Sequence, residues 1–462
     1  MIKKKNNLII SCCLLLLLSG CANDKNITAS EEEISAELTE SETDTLPETE
    51  TETEFIWTEP PTEPPTPENV FINCQQVVEV NSNLTVADFV TSANVTLKDE
   101  TAPVDTGRIG TFEITIPYLY GQESREETFT YQVKDTTPPL ILNDGQNAYI
   151  KTGEVFDLRE LIGYGDNYDT NLTLTYDGDV DTAVQGNYML SAHLTDSSGN
   201  QSTCRLEVAV ADEKPSAYSG EPVNFADFKK QYASKYNSFA GVDVSSWQGY
   251  VDYDALKRAG CEFVIMRIGK STEGNLVEDS YFEYNFNSAK EAGMKIGVYF
   301  YSADNDESQI RADADWIAQR LNGEKLDFPI AFDWEDFTDF QHYGINLHDL
   351  NLLWKAFNDQ MQKNGYESML YASKFYLQNV WENPDTDTVW LAHYTEQTDY
   401  DGNYFLWQRC NTGYVDGIDG YADFDVFIEK TESESDTADS TETPEIPEIP
   451  EIPEVSEQVI IE

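Results

Sequence analysis

Positive charge is scarce in this chain. Its 462 residues carry 29 lysines and arginines against 85 aspartates and glutamates, a formal net charge of -56. A phosphate backbone needs a basic surface, which argues against nucleic acid as a partner. Adsorption to anionic lipid or anionic wall polymer by charge alone is disfavoured for the same reason. Cysteines are few and scattered. Of seven, Cys12 and Cys13 lie in the apolar N-terminus, and Cys74, Cys204, Cys261 and Cys410 stand far apart. No CxxC pair or Cys/His cluster exists, so no zinc site is expected. Cys261 and Cys410 share a segment, but no bridge is assigned, and buried thiols are expected. The apolar run Leu8–Leu18 is too short for a comfortable membrane span.

That run follows Lys3-Lys4-Lys5 and ends in Leu18-Ser19-Gly20-Cys21, which makes residues 1–20 a secretory signal. Leu-Ser-Gly-Cys resembles the bacterial lipobox. The resemblance implies cleavage before Cys21, acylation of its sulfur and anchoring in the lipid bilayer, at the extracellular face of the cytoplasmic membrane. Residues 21–68 are Glu-, Thr-, Ser- and Pro-rich, and read as a disordered, extended stalk. Residues 431–462 return to this composition, with Glu-Ile-Pro repeated from Glu445 to Pro453, and read as an acidic tail.

An internal repeat fills the next stretch. Val104-Asp105-Thr106 precedes Gly110-Thr111-Phe112, and at the same spacing Val180-Asp181-Thr182 precedes Gly186-Asn187-Tyr188. Alternating strands follow in each copy, with a hairpin signal at Asp196-Ser197-Ser198-Gly199-Asn200. Two all-β sandwich modules are expected, 69–138 and 139–215, resembling the immunoglobulin-like modules of bacterial surface proteins. Spacing is their expected job. Asp166, Asp169 and Asp196 could hold calcium, but they fit no EF-hand loop, and turn acids are the commoner explanation. A linker is read at 216–236.

From about Asn237 strands and helices alternate. Strands are read at Phe239–Asp243, Phe263–Arg267, Lys295–Tyr301, Pro329–Phe332 and Ser368–Tyr371, with helices between them. Val389–Tyr394, Tyr404–Gln408 and Ala422–Phe427 follow with less helix. This α/β rhythm predicts a parallel sheet, most simply a TIM-like (β/α) barrel over 237–430. Asp333 and Glu335 project together from one strand end, since residues two apart share a face. Paired carboxylates on a rigid support suit acid/base work on a glycosidic bond. Asp243, Arg267, Tyr301, Tyr371, Tyr394, Gln408 and Asp423 also fall at strand ends or on the late strands, where barrel enzymes keep their chemistry.

Here a resemblance becomes specific. Gly241-Val242-Asp243-Val244-Ser245-Ser246-Trp247-Gln248-Gly249 resembles the opening motif of the family 25 glycoside hydrolases, the Chalaropsis-type lysozymes. Gly297–Tyr301, Phe332-Asp333-Trp334-Glu335, Trp390–Tyr394, Trp407-Gln408 and Gly420–Asp425 match its later motifs in order. Asp425 stands where the family often has Asn, and Phe300-Tyr301 where His-Phe is common. The resemblance implies hydrolysis of the β-1,4 bond between N-acetylmuramic acid and N-acetylglucosamine in peptidoglycan. It implies Glu335 as general acid, with Asp243, Asp333 and Asp423 lining the pocket. Asp333 would act as nucleophile or orient the substrate's acetamido group, and the sequence leaves both open. Arg267, Tyr301, Tyr371, Trp390, Tyr394 and Gln408 would contact substrate. No metal or cofactor is implied, and a monomer is expected. Two other readings stay open: a glycosidase on another N-acetylated glycan such as chitin, and a surface protein that binds glycan without cutting it.

Overall fold

The computed structural model describes residues 71–428 except 144–147, 215–220, 233–237 and 383–387. The signal, Cys21, the stalk and the acidic tail lie outside the described residues. No helix among the described residues is long and apolar enough to cross a membrane.

Eight strands close a barrel: β1 (Ser238–Val244), β2 (Phe263–Thr272), β3 (Lys295–Ser302), β4 (Ile330–Asp333), β5 (Ser368–Ser373), β6 (Val389–Ala392), β7 (Leu406–Tyr414) and β8 (Ala422–Ile428). Neighbours from β1 through β7 pair in parallel. β8 does not. It runs antiparallel to both β7 and β1 and completes the ring between them. The expected TIM-like barrel is therefore corrected to an eight-stranded mixed barrel. A (β/α)8 barrel needs eight parallel strands with a helix after each. Here helices α1 (Tyr253–Ala259), α2 (Phe282–Glu291), α3 (Glu307–Leu321), α4 (Leu347–Lys363) and α5 (Lys374–Asn379) cover only the first part of the ring. No helix separates β6, β7 and β8 among the described residues. A short connection can only return the chain antiparallel, which is what β8 does.

Period-two alternation sorts the strand residues. Phe332 and Trp334, Val298 and Phe300, and Leu370 and Ala372 face outward into the core beneath the helices. Ala331, Tyr299, Met369, Tyr371 and Trp390 fill the barrel interior, with Phe239, Phe263 and Phe427. Gly241 is needed inside because a Cβ there would meet the Phe263 ring at 2.4 Å. Residues 223–232, read as linker, instead belong to the barrel unit. Val223–Asn224 pairs with β7, and the helix Phe225–Tyr232 sets Phe225 edge-on against Phe424 of β8 at 4.9 Å.

The two preceding modules share one topology. In the first, Val77–Glu79, Glu123–Lys134, Gly110–Tyr120 and Thr96–Leu97 form a four-stranded sheet in that order, beside a ribbon of Phe71–Cys74 and Val90–Ala93. In the second, Ala148–Lys151, Gln201–Ala211, Gly186–Thr195 and Thr173–Asp177 repeat that order, beside Leu140–Ile141 and Tyr164–Gly165. The outer strand of each sheet pairs in parallel with the last long strand. Among the described residues each module thus sets one mixed four-stranded sheet and a two-stranded ribbon around a shared core, and the expected immunoglobulin sandwich is not shown. The sequence repeat marks two copies of a mixed four-plus-two module.

The second module is not a free spacer. Leu142 packs in the same core as the barrel's outer face, and its carbonyl accepts from the Tyr376 hydroxyl at 2.7 Å. Phe337, two residues past Glu335, stacks on Tyr376 at 3.8 Å. Gly163 meets the Phe337 backbone so closely that an added Cβ would sit 1.6 Å from its carbonyl oxygen.

Candidate active site

β4 ends with Asp333 pointing into the barrel and Glu335 two residues on, on the same side. The outward Trp334 holds that turn: it is fully buried, and its indole N–H donates to the Asp304 carbonyl at 3.1 Å. In the ladder, Asp333 sits level with Tyr301 of β3 and Tyr371 of β5. Across the barrel Asp243 of β1 is the direct partner of Asp423 of β8, and Asp425 lies one inward position deeper. Five carboxyl groups thus converge: Asp243, Asp333, Glu335, Asp423 and Asp425.

Their proton affinities are all raised, and burial is the first cause for each. Asp243 rises to about 6, held from going higher by hydrogen bonds from Gln408, Asp425 and Asp423. Glu335 rises to about 7, with the Asp243 charge adding to burial and a hydrogen bond from Asp333 opposing it. Asp333 is pushed well above the carboxylate range by burial and the Glu335 charge, with Arg267 pulling the other way. Asp423 and Asp425 are pushed up by burial and by Asp243. Asp333 and Glu335 share a hydrogen bond, so the pair retains a proton near neutral pH and titrates as a unit. Glu335 and Asp423 keep part of their surface open to solvent.

One polar relay organises the far wall. Gln408 donates to Asp243 Oδ2 at 2.8 Å and accepts from the hydroxyls of Tyr371 and Tyr394 at 2.9 and 2.8 Å. Trp390 donates its indole N–H to Asp425 at 2.9 Å. Arg267 is tied to Asp279 at 2.7 Å and to the Ser246 hydroxyl at 2.8 Å. It acts on Asp333 through its charge. The structure thus gathers all ten residues read from the sequence into the barrel's upper interior. It does not give them all open faces. Trp390 is 2% exposed, its ring against Tyr371 at 4.7 Å, so it presents no open face for the substrate contact that the resemblance implied. Tyr371 is buried too, with its hydroxyl committed to Gln408.

Two further residues were assigned no such place by the sequence. Trp247, four residues past Asp243, is 67% exposed at the barrel mouth, on a turn anchored by Ser246 N–H to Asp279 at 3.0 Å. It sits inside the opening motif, and that was the available signal. Asp425 joins the carboxyl cluster through Asp243. A separate cavity of about 920 Å³, lined by Tyr250, Tyr253, Tyr284 and Gly417 among others, contains none of these carboxylates. The arrangement can hold a proton at neutral pH beside an ionisable carboxylate, which is what general acid catalysis at a glycosidic oxygen requires.

This part of the chain is similar to known proteins. The model of glycosyl hydrolases family 25 matches residues 242–418. An autolytic lysozyme of Clostridium acetobutylicum is 31% identical over 191 residues, covering 41% of this chain and 56% of the relative. Lysozyme M1 of Streptomyces globisporus is 27% identical over 204 residues, covering 40% of this chain and 67% of the relative. A family 25 glycosyl hydrolase structure from Bacillus anthracis aligns at 22% identity with a TM-score of 0.37, covering 44% of this chain and 93% of that one. The chain thus spans only a little over half the length of the Clostridium relative. The match begins one residue before Asp243 and takes in Asp333, Glu335 and Gln408, and it identifies residues 242–418 as a glycosyl hydrolases family 25 domain.

Proposed function

We propose that this protein is a muramidase that hydrolyses peptidoglycan between N-acetylmuramic acid and N-acetylglucosamine, working outside the cell while tethered through Cys21. The observation that carries the reading is the Asp333–Glu335 pair, inward-facing on one strand end and raised in pKa so that it keeps a proton near pH 7. The two lysozymes similar to this domain support the substrate class. In this reading Glu335 protonates the leaving oxygen, and Asp333, once relieved of the shared proton, stabilises the anomeric centre. Asp243, facing them, helps keep the Glu335 proton affinity high, and Asp243 and Asp423 present acceptors to the sugar.

Mass spectrometry of fragments released from purified peptidoglycan tests this. Reducing-end muramic acid is the expected product. Reducing-end glucosamine, or product from chitin but not from peptidoglycan, would overturn the bond assignment, and no product at all would leave only a binding protein. The tether rests on Leu18-Ser19-Gly20-Cys21. If a Cys21→Ser protein still partitions into detergent as the parent does, the anchor is wrong.

A further inference from the structure

A second carboxylate cluster lies outside the catalytic barrel, at the joint between the two β-modules. Asp135 is the first residue after the last strand of module one. Asp169 follows the Tyr164–Gly165 strand of module two, and Asp196 opens the turn of its long hairpin. One oxygen from each of the three lies within 4.8 Å of the others. Two oxygens bound to one Ca2+ at about 2.4 Å can be at most about 4.8 Å apart, whereas Mg2+ at about 2.1 Å demands a tighter set.

Proximity of acids alone would mean little. Asp135, however, is only 5% exposed, and neither of its carboxylate oxygens receives a hydrogen bond. Ser198 is near enough to temper its proton affinity without reaching bonding geometry, and burial with the Asp166, Asp196 and Glu79 charges raises it to about 6. Asp166 is more buried still. Its Oδ1 accepts from the Tyr168 and Asp169 N–H groups, but its Oδ2 is buried without a partner. The main charges acting on Asp135 and Asp166 are all negative. Two buried carboxylates with orphaned oxygens and no compensating cation are costly to desolvate. The neighbours are nevertheless arranged to hold acids in place: Asn200 fixes Asp196 through two bonds of 2.8 Å, and Ser197 fixes Asp169 at 2.7–2.9 Å.

We propose that Asp135, Asp169 and Asp196, with Asp166 beside them, form a Ca2+ site that locks module one to module two. The ion supplies the missing partner for the oxygens of Asp135 and Asp166, and it ties the exit of one module to two loops of the next. Its reach extends to the barrel. The Asp166 carbonyl accepts from Leu347 N–H at 2.7 Å, and the Tyr168 carbonyl from the Asn346 side chain at 2.9 Å, at the capped start of α4. One ion therefore stiffens both joints between stalk and catalytic domain.

The test uses the full chain, stripped with chelator and titrated with CaCl2 by calorimetry, with Tb3+ luminescence excited through tyrosine as a local readout beside Tyr168. One ion per chain should bind well above the background of the acidic flanks, with MgCl2 at least tenfold weaker. Ca2+ should raise the unfolding temperature. Asp135→Asn with Asp169→Asn should weaken binding at least tenfold and abolish the Ca2+ effect on unfolding, while turnover of solubilised peptidoglycan is unchanged. Without Ca2+ the variant should unfold at a higher temperature than the parent, because it has lost the repulsion. Asp169→Asn alone, at a partly exposed position, serves if the double variant does not fold. Stoichiometric binding that survives the substitutions, or a full chain whose unfolding ignores both Ca2+ and chelator, would overturn the site.

Discussion

Asp243 and Asp423 are direct partners across the antiparallel ladder that joins the first and last strands of the barrel. Like charges directly opposite one another are destabilising. The pair escapes this by holding a proton between them: both affinities are raised, and each hydrogen-bonds the other. The proposed active site and the closure of the ring thus share the same two residues.

Removing the proton donor should separate chemistry from stability. Glu335→Gln keeps the side chain's size, and Asp333→Asn keeps its shape. Each should lower turnover on solubilised peptidoglycan by about 10² to 10⁴, with an unfolding temperature at or above the parent's, since each removes a buried acid from a crowded cluster. A Glu335→Gln protein keeping more than about a tenth of parental turnover would remove Glu335 as the acid.

The pH profile follows from the same groups. Glu335 must carry its proton, and its affinity is raised to about 7, so kcat/KM should fall as pH rises through about 7. The Asp243 charge is one of the causes of that rise. Asp243→Asn should therefore move the alkaline limb to lower pH, whatever it does to the maximum. A limb that stays put or moves upward would show that Asp243 does not act on Glu335.

Asp425 gives a test by linkage. Its folded-state affinity lies well above the ordinary carboxylate value, so the stability tied to its protonated form is complete below about pH 4 and is lost as pH rises through the folded value. Asn does not titrate. Asp425→Asn should match the parent's unfolding temperature at about pH 4 and exceed it increasingly toward pH 8. An equal offset at both ends would refute the raised affinity. A neutral aspartic acid can donate one hydrogen bond and accept another, as an asparagine does, so the substitution keeps the bonding at this position.

Two tryptophans should behave oppositely. Trp247→Ala, at an exposed position, should raise KM with little change in unfolding. Trp390→Ala should cost about 3–5 kcal/mol of stability and leave Asp425 without its indole donor. If the Trp247 variant's KM is unchanged, the exposed face does not meet the glycan.

Contact between module two and the barrel should register in the barrel's stability. Leu142→Ala deletes a side chain buried in the barrel's outer core and should cost about 2–5 kcal/mol. Unfolding followed through the barrel tryptophans would read it. No change would return module two to the role of a spacer.

Much of the site was legible because its chemistry rides on strand periodicity. Phe332-Asp333-Trp334-Glu335 alternates out, in, out, in, and the sequence shows as much. The direction of β8 was not legible: Ala422–Phe427 has the same apolar alternation whichever way it runs, and only the absence of a preceding helix hinted at the reversal. Trp390 misled for a related reason. A tryptophan on an inward position reads alike whether it meets a sugar or a buried Asp425. The joint was least visible. Asp135 lies far in sequence from Asp169 and Asp196, and only folding brings them together.

The reversed last strand also bears on how the enzyme comes into being. β1 leaves one edge open until β8 arrives, and β8 brings Asp423 and Asp425 with it. This contact spans nearly the whole domain, the kind of non-local closure that forms slowly. During synthesis, every intermediate that lacks residues beyond Ala422 has neither a closed ring nor a complete carboxyl cluster. On the proposed reading, activity is then withheld until this strand has been made, without any inhibitor, and clipping it away would abolish activity again.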